Sequence, residues 1–282
     1  MAGTVEQQAE DSVTQATELP GKSRVVLVDG GMTPPPLAKI RTVPIGAPWG
    51  WLRKGWVDLV ATRFVGIFYG AGFVAMGYLV VWQYTTRWQL TMGLIAGFFL
   101  MGPFVCTGLY ELSRQRARGE RRAFLASLVC WFRNPGDIAL FALMLTFIMI
   151  VWARVSIILF ALFSTTDFPT LQGLLSAIVS FDNAGFVLVW LGIGFLFASL
   201  AFAISVVSVP LLLDRDIDAL TAVFTSVRAL LHNPRALYLW ALLVVVLIGA
   251  SLLAGLLPLL ISAPLVGHAT WHAYVELVEQ PA

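Results

Sequence analysis

Residues 185–213 read GFVLVWLGIGFLFASLAFAISVVSVPLLL and contain no charged side chain. A helix needs about 20 apolar residues to cross the hydrocarbon core of a bilayer, so this stretch is long enough to span one. The whole chain has the same character, with 59% apolar and 12% charged residues and a mean hydropathy of +0.83. Soluble domains carry about 25% charged residues. The sequence therefore predicts an all-α membrane protein that is largely solvated by lipid.

Six apolar stretches of this kind predict six transmembrane helices. They lie at about 66–84, 90–112, 137–160, 185–213, 237–254 and 256–275. The last two form one nearly unbroken apolar run. Gly249, Gly255 and Pro258 favour a helical hairpin there over a single long helix.

The basic residues predict that both termini lie in the cytoplasm. Of the 18 Lys and Arg residues, 16 precede the first stretch or lie in the connections after the second and fourth stretches. Cytoplasmic loops carry such an excess of positive charge. Only Arg87 and Arg154 lie toward the other side. We therefore expect a multi-pass protein of the bacterial cytoplasmic (inner) membrane with N-in/C-in topology.

Two regions differ in composition. Residues 1–48 are polar and rich in proline, which predicts an extended cytoplasmic arm, and residues 49–282 form the predicted six-helix domain. The first residues show no basic segment followed by an apolar one, so we expect the first membrane helix to direct insertion. A net charge of +2 does not indicate a nucleic-acid partner. Cys106 and Cys130 have neither metal-site nor disulfide-framework spacing.

The membrane domain shows a threefold internal pattern, with units at about 49–119, 120–218 and 219–279. Each unit begins with an amphipathic segment, typical of helices that lie in the membrane interface, and continues into a hairpin. The second and third segments are SLVCWFRNP at 127–135 and SVRALLHNP at 226–234. The first, WLRKGWVDL at 51–59, lacks the Asn-Pro ending. A residue before proline leaves the helical region, so Asn-Pro predicts a corner between two helices.

The second helix of each hairpin carries a proline, at Pro103, Pro210 and Pro264. Polar or ionisable side chains recur at fixed distances from these prolines. Four residues on lie Thr107, Asp214 and His268, and eight residues on lie Glu111, Asp218 and His272. Internal symmetry of this kind is common in membrane folds.

Several stretches resemble an uncharacterised family of bacterial integral membrane proteins, a six-helix domain of unknown function. They are APW at 47–49, GLYELS at 108–113, PLLLDRDIDA at 210–219 and PLVGHATWHAY at 264–274. The resemblance extends over about residues 44–276. It implies a membrane protein and no particular activity.

His268 and His272 are the candidate metal ligands. Their i, i+4 spacing places both rings on one helix face, and neutral imidazole is a common ligand of metals and haem. Two ligands make an incomplete site, and no HExxH pattern is present. The simpler interpretation is that the two histidines, Trp271 and Tyr274 form a belt of side chains at the membrane interface. A metal, haem or proton-handling role is the alternative, and no cofactor is otherwise expected.

A second set of polar residues is predicted to act within or at the edge of the membrane. Three closely spaced carboxylates are compatible with a divalent cation, but the absence of a glycine-containing calcium loop and the nearby arginines favour ion pairs and helix-end capping. A charge within a membrane helix indicates either a functional site or a side chain that reaches the interface, with Asp167 and Asp182 as candidate partners. The members of this set are Thr107, Glu111, Arg154, Asp214, Asp216 and Asp218.

A third set is predicted to bind anionic headgroups or a partner protein, because basic and aromatic residues concentrate at the cytoplasmic surface. Its members are Arg114, Arg116, Arg118, Arg121, Arg122, Trp49, Trp51 and Trp56.

Three functions remain open. The sequence has no nucleotide loop and no nucleophile–base arrangement, which favours a non-enzymatic accessory subunit or assembly factor of a larger membrane complex, respiratory or otherwise energy-transducing. Its partners are then the lipid bilayer and other membrane subunits. A small transporter or channel is the first alternative, favoured by the internal repeat. A redox protein that binds metal or haem through His268 and His272 is the second.

Overall fold

The computed structural model describes residues 27–28, 31–32, 38–86, 91–120, 123–163 and 184–280. Residues 1–36 and 37–282 form two separate units. In the first unit, strand β1 (Leu27–Val28) pairs antiparallel with strand β2 (Gly31–Met32). The other residues of the predicted arm before residue 38 lie outside the described residues.

The second unit consists of helices, which confirms the predicted all-α class. Their bounds are α1 (Ala47–Thr86), α2 (Thr91–Ala117), α3 (Phe124–Val129), a 3-10 turn (Cys130–Arg133), α4 (Pro135–Phe163), α5 (Ala184–Ser205), α6 (Ser208–Asp214), α7 (Ala219–His232), α8 (Pro234–Leu253) and α9 (Leu259–Leu277).

Four segments in the described residues are long and apolar enough to cross a membrane. They are Phe64–Gln83 in α1, Pro135–Leu159 in α4, Gly185–Asp214 across α5 and α6, and Pro234–Leu253 in α8. The second and sixth predicted spans correspond to α2 and α9, which are not among these four. Both helices carry ionisable side chains in their second halves, at Glu111 to Arg116 and at His268 to Glu276.

The longest helix contact joins α1 to α9, which run antiparallel. Contacts link Trp51 to Glu276, Thr62 to His268, and Gly70 to Leu260, so the two helices keep one register over most of α9. His268 is therefore level with Thr62, just before the membrane segment of α1 begins at Phe64. The last hairpin thus reaches only part of the way along α1, and His268 lies at the edge of that segment.

Glycines in α1 allow this close approach. A Cβ at Gly55 would lie 2.8 Å from the backbone nitrogen of Ala269, and one at Gly70 would collide with the Leu260 carbonyl oxygen. Burying apolar side chains does not drive helices together in a bilayer, because lipid tails are equally apolar. Small residues favour helix association there because they let the backbones approach closely. The α1–α9 contact therefore depends on the absence of side chains at these positions.

The two Asn-Pro pairs form the predicted corners. Helix α7 ends at His232 and α8 begins at Pro234, while α4 begins at Pro135 directly after the 3-10 turn. The first amphipathic segment lacks Asn-Pro, and there α1 continues without a break into its membrane segment. These corners agree with the threefold pattern, which itself stays a prediction.

The predicted break between the last two apolar stretches is confirmed. Helix α8 ends at Leu253, and Gly255 adopts a φ of +86°, which a residue without a Cβ reaches at low cost. Leu256 follows with a φ of +70° and packs its side chain against Gly77 of α1. The turn is therefore anchored to the helix that α9 contacts.

The compact unit begins earlier in the sequence than the predicted boundary at residue 49. The Arg41 backbone N–H donates to the Leu277 carbonyl at 2.8 Å, and the Glu279 N–H donates to the Lys39 carbonyl at 3.0 Å. Asn233 also holds this segment, since its side chain accepts from the Val43 N–H and donates to the Arg41 carbonyl. Backbone hydrogen bonds that the sequence pattern does not reveal thus attach residues 38–46 to the helical unit.

Replacement of Gly70 by alanine should weaken the α1–α9 contact. Because the added methyl group meets the α9 backbone, we expect Gly70→Ala to lower the free energy of unfolding by about 1–3 kcal/mol. Gly72→Ala is the matched control, because a Cβ there meets nothing within 4 Å. Denaturation in mixed micelles, followed by tryptophan fluorescence, measures both. Equal stability of the two variants would contradict the contact.

Candidate functional site

Polar side chains from three helices meet beside the α1–α9 contact. We call this group the polar junction; it comprises Asp58 and Thr62 of α1, Ser113 of α2, and His268 and His272 of α9. Four of the five are almost completely buried, and only His272 reaches the surface. The junction therefore joins the first, second and last helices by hydrogen bonds in a protected place.

His268 is fully buried, and both of its ring nitrogens face hydroxyl groups. Nδ1 lies 2.7 Å from the Ser113 oxygen and Nε2 lies 3.1 Å from the Thr62 oxygen. Ser113 has a single hydroxyl hydrogen, which it donates to Asp58 Oδ2 at 2.6 Å. Thr62 likewise donates its one hydroxyl hydrogen to the Asp58 backbone carbonyl at 2.8 Å. The imidazole is therefore joined to Asp58 through both hydroxyl groups.

Asp58 is the negative charge at the centre of the junction. His272 Nε2 lies 2.8 Å from Oδ2, and the Arg116 guanidinium lies 3.0 Å from Oδ1. Burial raises the pKa of Asp58, but the hydrogen bonds from His272 and Ser113 lower it more, and its pKa lies below the ordinary 3.8. The carboxylate is therefore ionised at neutral pH and neutralised by Arg116.

Glu111 forms a second buried anion on α2. Arg114 donates to both of its oxygens at 2.7 and 2.8 Å, and Arg133 does so at 2.8 and 2.9 Å. Gln115 adds a further bond at 2.9 Å. Paired bonds of this kind fix geometry as well as charge. Glu111 thus attaches the 3-10 turn before α4 to the end of α2.

The three carboxylates at 214–218 do not converge on one site. Asp214 accepts from the Tyr274 hydroxyl at 2.7 Å and pairs with Arg118 at 3.3 Å. Asp218 caps α7 by accepting from the Thr221 N–H and hydroxyl, and Asp216 is exposed. The structure therefore agrees with ion pairs and helix capping, and it does not assemble these carboxylates into a cation site.

The predicted headgroup-binding arginines that the structure describes each pair with a carboxylate of the protein. Arg114 is buried against Glu111 and so has no surface to offer a headgroup. Arg116 and Arg118 pair with Asp58 and Asp214. Arg121 and Arg122 lie outside the described residues. The pairs of Arg116 and Arg118 join residues too far apart in sequence to be predicted, whereas Glu111 and Arg114 are three residues apart on one helix.

Of the three tryptophans predicted to bind lipid or a partner, two are exposed and one is buried. Trp49 and Trp56 are exposed on α1, as a role at the interface requires. Trp51 is completely buried, packs edge-on against Trp240 at 5.8 Å and donates to Glu276. Its prediction as a lipid or partner contact was wrong, because its face of α1 is the one that packs against the C-terminal helices.

The remaining predicted polar residues lie apart from each other. Thr107 is buried and donates to the Phe104 carbonyl within its own helix. Arg154 is exposed on α4, five residues before the end of that helix's membrane segment at Leu159. Its exposure favours a side chain that reaches the interface, and its suggested partners Asp167 and Asp182 lie outside the described residues. The predicted polar set is therefore not a single cluster.

His268 lies inside the protein, whereas His272 is partly exposed at the surface end of the polar junction. Trp271 and Tyr274, the other members of the predicted belt, are also buried. Within the described ranges, no group of three or more His, Cys, Asp or Glu side chains is arranged to hold a metal ion. A metal at His268 would have to displace Ser113 or Thr62, so the hydrogen-bonded arrangement does not favour the predicted metal role.

Sequence reasoning missed Asp58, Thr62 and Ser113 as partners of the histidines. The signal that was available is local: an aspartate and a threonine four residues apart on a helix share one face. Nothing in the sequence indicates that α9 would return to this face. That pairing is a property of the fold.

Four helical segments that are long and apolar enough to cross a membrane define an integral membrane protein. Residues 90–214 match the model of a family described as “Predicted integral membrane protein (DUF2189)”. The match confirms the resemblance over those residues, and the family is one of unknown function. No curated protein and no solved structure matches the chain.

Asp58→Asn should destabilise the protein by about 2 kcal/mol at neutral pH, because it leaves Arg116 and two hydrogen-bond donors without an anion. The folded-state pKa of Asp58 is depressed, so its contribution is present above 3.8 and is lost as the pH falls below that value. Unfolding curves measured as a function of pH should therefore show the wild-type and variant free energies of unfolding converging as the pH falls below 3.8.

The exposed Asp216 supplies the control, since it forms no ion pair within the described residues. Asp216→Asn should follow the wild-type curve at every pH. A constant offset between the wild-type and Asp58→Asn curves down to acid unfolding would contradict the electrostatic role of Asp58.

Proposed function

We propose that the protein is a non-enzymatic accessory subunit or assembly factor of a larger complex in the bacterial inner membrane, of the respiratory or another energy-transducing class. It has no resident cofactor in this proposal. Its partners are lipid and the membrane helices of other subunits.

The observation that carries the proposal is the exposure of the α4–α5 hairpin. Only 17% of an apolar 18-residue stretch within Pro135–Leu159, and 11% of one within Gly185–Asp214, is buried inside the protein. These helices contribute little to the core and present large side chains such as Phe147 and Phe195 outward. Such a surface suits lateral packing against other membrane helices as well as lipid.

The use of the polar side chains supports a structural role. Asp58, Glu111 and Asp214 are each neutralised by arginine from another part of the chain or from the same helix. A transporter is expected to keep polar groups near the middle of the bilayer for its substrate. In the four membrane segments, the described charged residues are Asp137, Arg154, Asp214 and Arg235. Each of them lies within six residues of an end of its segment. The accessory role therefore has more support than transport.

Six membrane helices with both termini in the cytoplasm complete the proposal, with α2 and α9 as the two beyond the four apolar segments. Ion pairs join the start of α1 to the end of α2, and the end of α2 to the end of α6. These ends must lie on one side of the membrane. The same ends carry most of the basic residues, which supports a cytoplasmic location.

Site-specific photocrosslinking tests the partner surface. A photoreactive phenylalanine analogue at Phe147, which is 65% exposed, should give adducts with a reproducible set of membrane proteins in intact cells. The same analogue at the fully buried Phe141 of the same helix is the matched control and should give none.

Native mass spectrometry after gentle detergent extraction should recover the same proteins with the chain. Adducts only with lipid at position 147, together with a free monomer or homo-oligomer by mass, would contradict the proposal. Solute transport by the purified protein in liposomes would favour the transporter instead, and a bound metal or haem would favour the redox alternative.

A further inference from the structure

A cleft of about 430 Å³ opens at the surface end of the polar junction. It lies between the first half of α1 and the end of α9, and it is large enough for a small polar group together with several waters. Its lining residues are Gly50, Arg53, Lys54, Val57, Asp58 and His272. None of the contacts described above requires this space to be open.

The charges around the cleft favour an anion. Arg53 is exposed and makes no ion pair or hydrogen bond with any other described residue. Lys54 is half-exposed and forms an ion pair with Glu276 at 3.1 Å. The one acidic lining group, Asp58, is already neutralised by Arg116. The cleft therefore presents a guanidinium that has no partner among the described residues, with a second cation beside it.

An apolar stripe runs from the cleft toward the membrane. Counting along α1, Val57, Val60, Phe64 and Ile67 follow Arg53 at spacings of four, three, four and three residues, which places them on one helix face. All four are exposed. Trp56 beside the cleft is exposed as well, and tryptophan is enriched where a membrane meets water. The cation complements an anionic lipid headgroup, and the apolar stripe complements an acyl chain of the same lipid.

We propose that this cleft binds the phosphate of an anionic phospholipid through Arg53 and Lys54, with an acyl chain along the Val57–Ile67 face of α1. The stripe favours a lipid over a soluble phosphate, because it continues into the membrane segment that begins at Phe64. The bound lipid would cover the surface side of the α1–α9 contact and stabilise it. This site is independent of the accessory role proposed above.

Lipid-dependent thermal unfolding tests the site. The purified protein in dodecyl maltoside is titrated with dioleoyl phosphatidylglycerol, with dioleoyl phosphatidylcholine or with glycerol 1-phosphate. Phosphatidylglycerol should raise the unfolding midpoint in a saturable way, since a ligand of the folded state stabilises it by mass action. The zwitterionic lipid and the soluble phosphate should have much less effect.

Arg53→Gln should weaken the apparent affinity for phosphatidylglycerol about tenfold, as expected for the loss of one charge-assisted contact. Without lipid its midpoint should equal that of the wild type, because Arg53 has no partner in the described part of the chain. Lys54→Gln should also weaken binding, although it additionally loses the Glu276 pair. Arg235→Gln removes the same charge from an exposed position outside the cleft and should bind lipid normally.

The result that supports the site is a selective loss in the Arg53 and Lys54 variants. Equal weakening in Arg53→Gln and Arg235→Gln would show a general effect of negative charge and would overturn it. So would equal stabilisation by the zwitterionic lipid. If glycerol 1-phosphate stabilises as strongly as phosphatidylglycerol, the cleft is a site for a soluble phosphate and the lipid assignment is wrong.

Discussion

The close antiparallel contact between α1 and α9 is the constraint on which the rest of the described helical unit depends. Helices in a bilayer gain little from burying apolar side chains against each other, so they need close backbone packing or hydrogen bonds. This contact has both: Gly55 and Gly70 admit the α9 backbone, and Thr62 meets His268 just outside the apolar segment of α1. The first and last helices of the chain are thereby joined in one register.

The polar junction follows from that register. Because α9 returns along α1, two histidines on one helix face come to lie beside Asp58 and Ser113. Residues that a sequence pattern suggests as metal ligands or as an interfacial belt are then committed to a hydrogen-bonded chain. The same holds for Arg114 and Arg116, which pair with carboxylates of the protein instead of with lipid headgroups. Arg53 stays without a protein partner among the described residues and marks the one part of this region that is open to an external anion.

Local features of this fold could be predicted, whereas contacts between distant segments could not. Apolar stretches identify membrane helices because the bilayer demands length and composition together. The corners at Asn134 and Asn233 and the turn at Gly255 could be predicted because proline and glycine act on their own backbone. The bounds of α2 and α9 are close to the predicted 90–112 and 256–275, but neither helix is among the four apolar membrane segments. Their second halves carry charged side chains, some of which pair with other helices. The burial of Trp51 and the partners of His268 required knowing which face of α1 is covered, and that is decided about 200 residues later in the chain.

A cysteine pair tests the register of α1 and α9 most directly. A Cβ at position 66 would lie 3.9 Å from the Cβ of Pro264, within the range that a disulfide requires. With Cys106 and Cys130 replaced by serine, the pair Gly66→Cys and Pro264→Cys should oxidise to an intramolecular disulfide, seen as a mass loss of about 2 Da and blocked thiol labelling. Gly72→Cys with Pro264→Cys should stay reduced, because position 72 faces away from α9. Two free thiols in the first pair, or equal oxidation in both pairs, would contradict the contact on which this account depends.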